Sequence, residues 1–244
     1  MPLLRRPLPF DDLNWIFELK LDGFRALAVL ENGRAELLSR NGHAFASFSG
    51  LGKSIAAALP DVGNTVLDGE IVCVDETGRP QFYDLLFHRG DPYFFVFDLL
   101  ISDGKDWRRE RLMDRKRELR QLLSGMPADC PLAYVDYVDG EGTALFQRVQ
   151  ELDLEGIVAK HKSSPYIGDR DRSTWFKIKN REYSQMKGRE KLFERDRHRE
   201  PVPGWHSCTL VCDEIDLEPL RPAHKVKPYS SRPSVHPSER RSAS

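Results

Sequence analysis

Cysteine is scarce in this chain: four in 244 residues, at positions 73, 130, 208 and 212. That number and that scatter supply no disulfide framework, and a reducing, cytoplasmic setting is the default expectation. Long apolar runs are missing as well. No stretch of 18 apolar residues occurs, so neither a transmembrane helix nor a membrane partner is expected. The opening residues MPLLRRPLPFDDL lack an extended apolar core and are broken by prolines and acids, which argues against a signal peptide. Net charge is only −1, so the overall balance says nothing in favour of a polyanion. Two familiar motifs are incomplete. SGLGKS (Ser49 to Ser54) resembles the end of a P-loop, but Ser47 stands where the pattern needs glycine, and NGHAFASF makes a poor buried strand to feed it. A loop entering a short helix is expected there instead. His198, His206, Cys208 and Cys212 have no second C-x-x-C pair and no zinc-finger spacing, so no zinc site is expected.

What is present is enough for one large domain: 40% hydrophobic residues to build a core and 31% charged residues to solvate it. FRALAVL and RAELLSR flank Asn32-Gly33, a strong hairpin signal. NTVLDGEIVCVDETGRPQF reads as a strand, a turn at Glu76-Thr77-Gly78 and a second extended piece. PYFFVFDLLISDGKDW reads as a strand buried on both faces and ended by Asp103-Gly104. GIVAKH and TWFKIKN read as two more strands. Helices are fewer: Lys53 to Leu59, stopped by Pro60; Arg111 to Leu123, with Leu112, the Lys116 stem, Leu119 and Leu122/Leu123 on one face; and Thr143 to Leu152. Strands and helices without a regular βαβ rhythm predict an α+β domain built largely on antiparallel sheet. The expected domain spans 1–185. Residues 186–244 are expected to be a charged linker and a flexible basic tail, with six Lys/Arg against two acids from Leu217 onward.

The informative charges lie at strand ends. Lys20 follows IFEL, Glu70 follows VLDG, Glu155 precedes GIVAK, and Lys177 and Lys179 alternate in W-F-K-I-K. Alternation puts those two lysines on one strand face, about 7 Å apart, where they repel unless an anion or acids lie between them. Singly, each charge is explained by a strand-end salt bridge. Together they suit nucleotide transfer through phosphorus, with lysines neutralising phosphate, glutamates holding Mg²⁺ and a desolvated lysine attacking. A free lysine of pKa about 10.4 is neutral in about one molecule in 2,500 at pH 7. Burial or neighbouring cations such as Lys177, Lys179 and the metal are expected to lower that barrier.

The ordered set K-x-D-G-x-R (Lys20 to Arg25), S-R-N-G (Ser39 to Gly42), L-D-G-E (Leu67 to Glu70), F-V-F-D-L-L (Phe95 to Leu100), E-G-I-V-A-K (Glu155 to Lys160) and W-F-K-I-K (Trp175 to Lys179) resembles ATP-dependent DNA ligases. The likeness is to the adenylyltransferase core of the covalent nucleotidyltransferase superfamily, and most to the ligase modules of bacterial end-joining systems. It implies an ATP-grasp-like nucleotidyltransferase core of antiparallel sheets flanked by helices, acting in DNA repair and recombination. Lys20 would attack the α-phosphorus of ATP and carry AMP as a phosphoramidate. AMP would then pass to the 5′-phosphate of a nick, and the 3′-hydroxyl would displace it. Glu18 would accept from the adenine amino group, and Phe97 would stack on adenine. Arg25 and Arg40 would contact the ribose, the nucleotide phosphate or the nick 5′-phosphate. Glu70 would hold the ribose or a metal, and Glu155 the catalytic metal, Mg²⁺ or Mn²⁺. Lys177 and Lys179 would bind the α-phosphate. Asp22 would orient the lysine or the metal and later assist the 3′-hydroxyl. Leu19 and Lys160 complete the nucleotide-binding set. The implied partners are nicked double-stranded DNA, end-joining repair proteins or a separate OB-fold, DNA-binding subunit, in a bacterial cytoplasmic, nucleoid-associated setting. No regular five-strand pattern for the usual OB barrel follows Lys179. A nucleotide- or nicked-DNA-binding module with little turnover, RNA ligation and capping chemistry therefore stand as alternatives.

Overall fold

A computed structural model describes residues 1–127, 129–169, 171–186 and Arg189. Almost all of the expected tail lies outside the described residues, and so do any barrel after Lys179, His198, His206, Cys208 and Cys212. In chain order the elements are β1 (Leu4–Arg5), β2 (Asp11–Leu19), β3 (Phe24–Glu31), β4 (Arg34–Ser39), α1 (Ser49–Ala58), β5 (Thr65–Cys73), α2 (Phe82–Leu86), β6 (Pro92–Ser102), β7 (Lys105–Asp106), α3 (Leu112–Leu122), β8 (Leu132–Tyr134), β9 (Tyr137–Glu141), α4 (Gly142–Glu151), β10 (Gly156–His161) and β11 (Trp175–Lys179).

These strands form two sheets. One runs β1-β11-β10-β2-β9, and the other β4-β3-β5-β6-β7, with β8 added in parallel to β6. Apart from the β1–β11 and β6–β8 pairs, every pairing is antiparallel. The β3–β4 hairpin turns at Asn32-Gly33 with φ 51° and 71°, and β6–β7 turns at Asp103-Gly104 with φ 47° and 78°. Two successive positive φ values match the right-handed twist of the flanking strands, which is why Asn-Gly and Asp-Gly occur there.

Period-two alternation divides each strand between two faces. Phe17, Ile157, Ala159 and Ile178 of the first sheet pack with Val149 of α4. The opposite face carries Ile16, Glu18, Val158, Lys160 and Trp175, and Ile16 and Trp175 cluster there with Leu112 of α3. In the second sheet Ala26, Ala28, Leu67, Ile71, Phe94 and Val96 form a larger core with Leu51 and Ile55 of α1 and Leu119 of α3. SGLGKS is itself the first part of α1 rather than a loop entering it, and a single 3-10 turn, Ala46–Phe48, leads directly into it. Gly52 lies so close to β4 that a Cβ would sit 2.6 Å from the Ala35 carbonyl oxygen. The extended piece expected after Gly78 is only a bridge between Val74 and Pro80. Phe82 and Leu85 then bury at helical spacing as α2.

Helix α3 buries Leu112, Arg115, Lys116 and Leu119, an i, i+3, i+4, i+7 stripe that is half cationic. Arg115 is fully buried, and its guanidinium grips Asp98 of β6 through two bonds of 2.7 and 2.8 Å while donating to the Glu110 and Ser164 carbonyls. Lys116 reaches the other sheet, 2.7 Å from Glu18 of β2. A buried ion pair is costly to break because the partner left behind keeps its desolvated charge. Arg115→Met is therefore expected to cost about 3–5 kcal/mol of unfolding free energy, far more than an exposed arginine such as Arg117, as read from urea denaturation.

Candidate active site

Four residues, Lys20, Leu21, Asp22 and Gly23, join the last residue of β2 in one sheet to the first residue of β3 in the other. The connector is pinned at both ends. The Lys20 backbone N–H donates to the Gly156 carbonyl at 2.9 Å. Gly23 lies so close to β5 that a Cβ would stand 2.0 Å from the Ile71 carbonyl oxygen, so no side chain fits there. The tightness of K-x-D-G thus fixes where Lys20 projects.

The Lys20 ammonium meets Glu155, just before β10, at 2.7 Å, and Lys179 of β11 approaches the other oxygen of Glu155 at 3.2 Å. Lys20 is only 17% exposed and Glu155 5%. Burial alone would lower the lysine pKa, but the charge of Glu155, and then that of Glu70, outweighs it and holds the pKa above the ordinary value. This corrects the expectation of a lysine already depressed by its cationic neighbours: Glu155 binds the ammonium more closely than any cation opposes it. Glu70 lies on β5 opposite Arg25 and Phe95, and its carboxylate has no hydrogen-bond partner among the described residues. Burial pushes its pKa up to about 7, against the attraction of Lys20 and Arg25 and with added repulsion from Glu155 and Asp68.

A pocket opens between the sheets beside this cluster. It is lined by Leu3, Glu18, Leu19, Lys20, Leu21, Arg25, Glu70, Phe97, Val158, Lys160 and Trp175. Seven of the residues expected to contact nucleotide therefore converge. Phe97 reaches the pocket because it is an extra residue in β6: Gly69 pairs with Val96 and Asp68 with Asp98, leaving Phe97 unmatched. Such a bulge re-aims a side chain. Lys160 projects from β10 over Trp175 and Phe97, with its ammonium 3.9 and 4.4 Å from the ring centroids. Its ion pair with Glu18 is 2.5 Å, yet burial, aided by Lys116, lowers its pKa to about 8.

Several side chains have partners that the sequence did not reveal. Both oxygens of Glu18 are taken, one by Lys116 and one by Lys160. Arg25 is bidentate to Asp68 at 3.0 and 2.6 Å and also donates to the Met1 carbonyl, so its guanidinium faces its own sheet as well as the pocket. Tyr166 donates to the same Asp68 at 2.9 Å. The Asp22 carboxylate turns from Lys20 to Tyr183 at 2.9 Å and to both terminal nitrogens of Arg189. Arg40 sits in the turn after β4, at the end of the hairpin where Ser39 pairs with Ala26, next to Arg25. Lys177 shares a face with Lys179 and Trp175 and pairs in register with Val158. Asp68 and Trp175 fall inside the L-D-G-E and W-F-K-I-K motifs, and Lys116 is legible in the sequence only as an apolar stem. Tyr166, Tyr183 and Arg189 carried no motif.

Two facing sheets, a lysine on the connector between them and carboxylates on both sides define a class: the nucleotidyltransferase core of ATP-dependent ligases. The model of the family described as ATP dependent DNA ligase domain matches residues 9–179, and the chain belongs to that family. It is 36% identical over 171 residues to the multifunctional non-homologous end joining protein LigD of Pseudomonas aeruginosa, covering 68% of this chain and 20% of that protein. It is 31% identical over 186 residues to the SPbeta prophage-derived DNA ligase-like protein LigB of Bacillus subtilis, covering 73% of this chain and 66% of that one. Among solved structures, mycobacterial DNA ligase D complexed with ATP and MES superposes with a TM-score of 0.64 at 30% identity, over 73% of this chain and 60% of that one. The chain thus spans about a fifth of the LigD relative's length.

Glu70 gives a pH signature. Its folded pKa of about 7 lies above the unfolded value near 4.5, so between those values the folded state binds the extra proton. Stability is then lost as pH rises through this window. Glu70→Gln, which cannot ionise, is expected to gain on the wild type steadily from about pH 5 to about pH 7.5 and to run parallel above it, as measured by urea midpoints across that range.

Proposed function

We propose that this chain is the adenylylating core of an ATP-dependent DNA ligase of the end-joining type. The observation that carries the reading is the placement of Lys20 on the inter-sheet connector, 2.7 Å from Glu155 at the edge of a pocket walled by Phe97 and Val158. Adenine would lie between that ring and that valine, with its amino group toward Glu18. The triphosphate would run toward Lys20, Lys177 and Lys179. Arg25 and Arg40 would meet the ribose or the phosphates.

The Lys20 ammonium must first lose a proton, and the Glu155 oxygen in contact with it is the acceptor in place. The neutral amine then attacks the α-phosphorus: a P–N bond forms and the bond to the pyrophosphate oxygen breaks. Lys177 and Lys179 would offset charge on the phosphate. In the later steps the 5′-phosphate oxygen of a nick displaces Lys20 from phosphorus, and the 3′-hydroxyl oxygen displaces AMP, with Asp22 as its helper. Asp22 would reach that role only by leaving Tyr183 and Arg189. Among the described residues no group of three metal-ligating side chains exists. Two carboxylates, Glu70 and Glu155, are nevertheless the usual protein share of a Mg²⁺ or Mn²⁺ shell that substrate phosphates complete. When bound there, the ion would supply charge neutralisation at the phosphates.

Nicked double-stranded DNA is the proposed substrate, in a cytoplasmic, nucleoid-associated setting, with end-joining proteins or a separate OB-fold subunit completing the clamp. A second reading, a nucleotide- or nicked-DNA-binding module with little turnover, draws on the Lys20–Glu155 ion pair, which favours the protonated amine. Incubation with Mg²⁺ and α-labelled ATP separates the two. Label is expected on the wild-type protein and to fall to background on Lys20→Ala. ATP binding without label, or equal label on both proteins, would overturn covalent catalysis.

A further inference from the structure

The two oxygens of Glu18 are held by different lysines, and only one of those lysines faces the pocket. Lys160 lines it; Lys116 does not. Lys116 is saturated: it lies 2.7 Å from Glu18 Oε1 and 2.9 Å from the Val135 carbonyl, with the Phe97 carbonyl at 3.5 Å and the Tyr134 ring 4.3 Å away. An ammonium with three donors so engaged cannot swing without losing them. Lys160 is less committed. Beyond Glu18 Oε2 it has one long contact to the Phe97 carbonyl at 3.5 Å and the faces of two aromatic rings. A donor arriving from the pocket therefore competes with Lys160 for Oε2, while Lys116 keeps Oε1 fixed.

We infer that Lys116 is the positioning residue that makes Glu18 a reader of the purine 6-position, favouring a 6-amino over a 6-oxo nucleotide. This rests on the proposed nucleotide pocket and adds a residue outside it. Held by Lys116 at Oε1, the carboxylate keeps its other oxygen toward the base, which accepts from an amino group and repels a carbonyl oxygen. Without Lys116, Glu18 has Lys160 as its sole cation and turns to it. The remaining Lys160 donors then serve a 6-oxo group as readily as Glu18 serves an amino group. Lys116 never touches the nucleotide, so its removal should change selectivity rather than merely lower activity.

The test is labelling of the protein by α-labelled ATP and α-labelled ITP, which carries a 6-oxo purine, under identical Mg²⁺. Lys116→Met keeps the stem and leaves Glu18 paired with Lys160, so no buried charge is orphaned. The ATP:ITP labelling ratio is expected to fall about tenfold or more, the range for a lost hydrogen bond to a charged group. Glu18→Gln should lower it similarly, and the double variant should lower it no further. If Lys116→Met does not fold, Lys116→Gln, which retains neutral donors for Glu18 and Val135, carries the same measurement with a fall in the same direction. An unchanged ratio with both nucleotides reduced alike would make Lys116 purely structural and overturn the inference while leaving adenylylation intact. No labelling of the wild type would remove the proposed function, and this inference with it.

Discussion

Two neighbouring cations on α3 bind together what the rest of the molecule needs held together. Arg115 grips Asp98 in one sheet and Lys116 grips Glu18 in the other, both out of contact with water. Adjacent residues on a helix diverge by about 100°, so a single turn of α3 can serve two sheets at once. Neither pair is a cheap source of stability, since desolvation consumes most of the attraction. Their value is geometric. A charge with one partner of the right sign within reach permits one arrangement, whereas leucines in the same places would tolerate sliding.

With the sheets held in this way, the candidate nucleophile occupies the covalent joint between them. Lys20 belongs to neither sheet, yet its backbone is tied to β10 and the connector it heads is pressed against β5 through Gly23. Glu155 comes from the first sheet and Glu70 from the second, so the charge around Lys20 depends on both. Two carboxylates and two lysines at such range form a balanced set. Glu155 is shared by Lys20 and Lys179, whereas Glu70, whose carboxylate has no hydrogen-bonded cation among the described residues, takes the upward pKa shift. Arg25 attracts Glu70 without hydrogen-bonding to it, because Asp68 claims its guanidinium in two places, and that attraction falls short of cancelling the burial.

Much of this was legible in the residues. Asn32-Gly33 and Asp103-Gly104 announced their turns, and β3, β4, β5, β6, β10 and β11 followed from alternating or continuous apolar runs. The order of the motifs gave the family and most of the pocket lining. Other elements had no local signal. Strands β1 and β8 are two and three residues long, shorter than any period can register, and β1 and β8 form through parallel partners distant in sequence. Helix α2 hides in a segment read as extended because five residues carry barely one turn. The partners of the site charges were hidden for the same reason. Glu18 and Lys116 are 98 residues apart and Asp22 and Tyr183 161 apart, so no spacing rule connects them. A lysine on the buried stripe of α3 was the visible anomaly, and it marked the contact that the motifs omitted.

Strand β1 lies in parallel beside β11, with Leu4 opposite Phe176 and Arg5 opposite Lys177. Just before β1, Leu3 lines the pocket and the Met1 carbonyl accepts from the Arg25 guanidinium. The segment before β2 is thus part of the pocket wall, and any slip of β1 along β11 would displace Leu3 and the grip on Arg25 together.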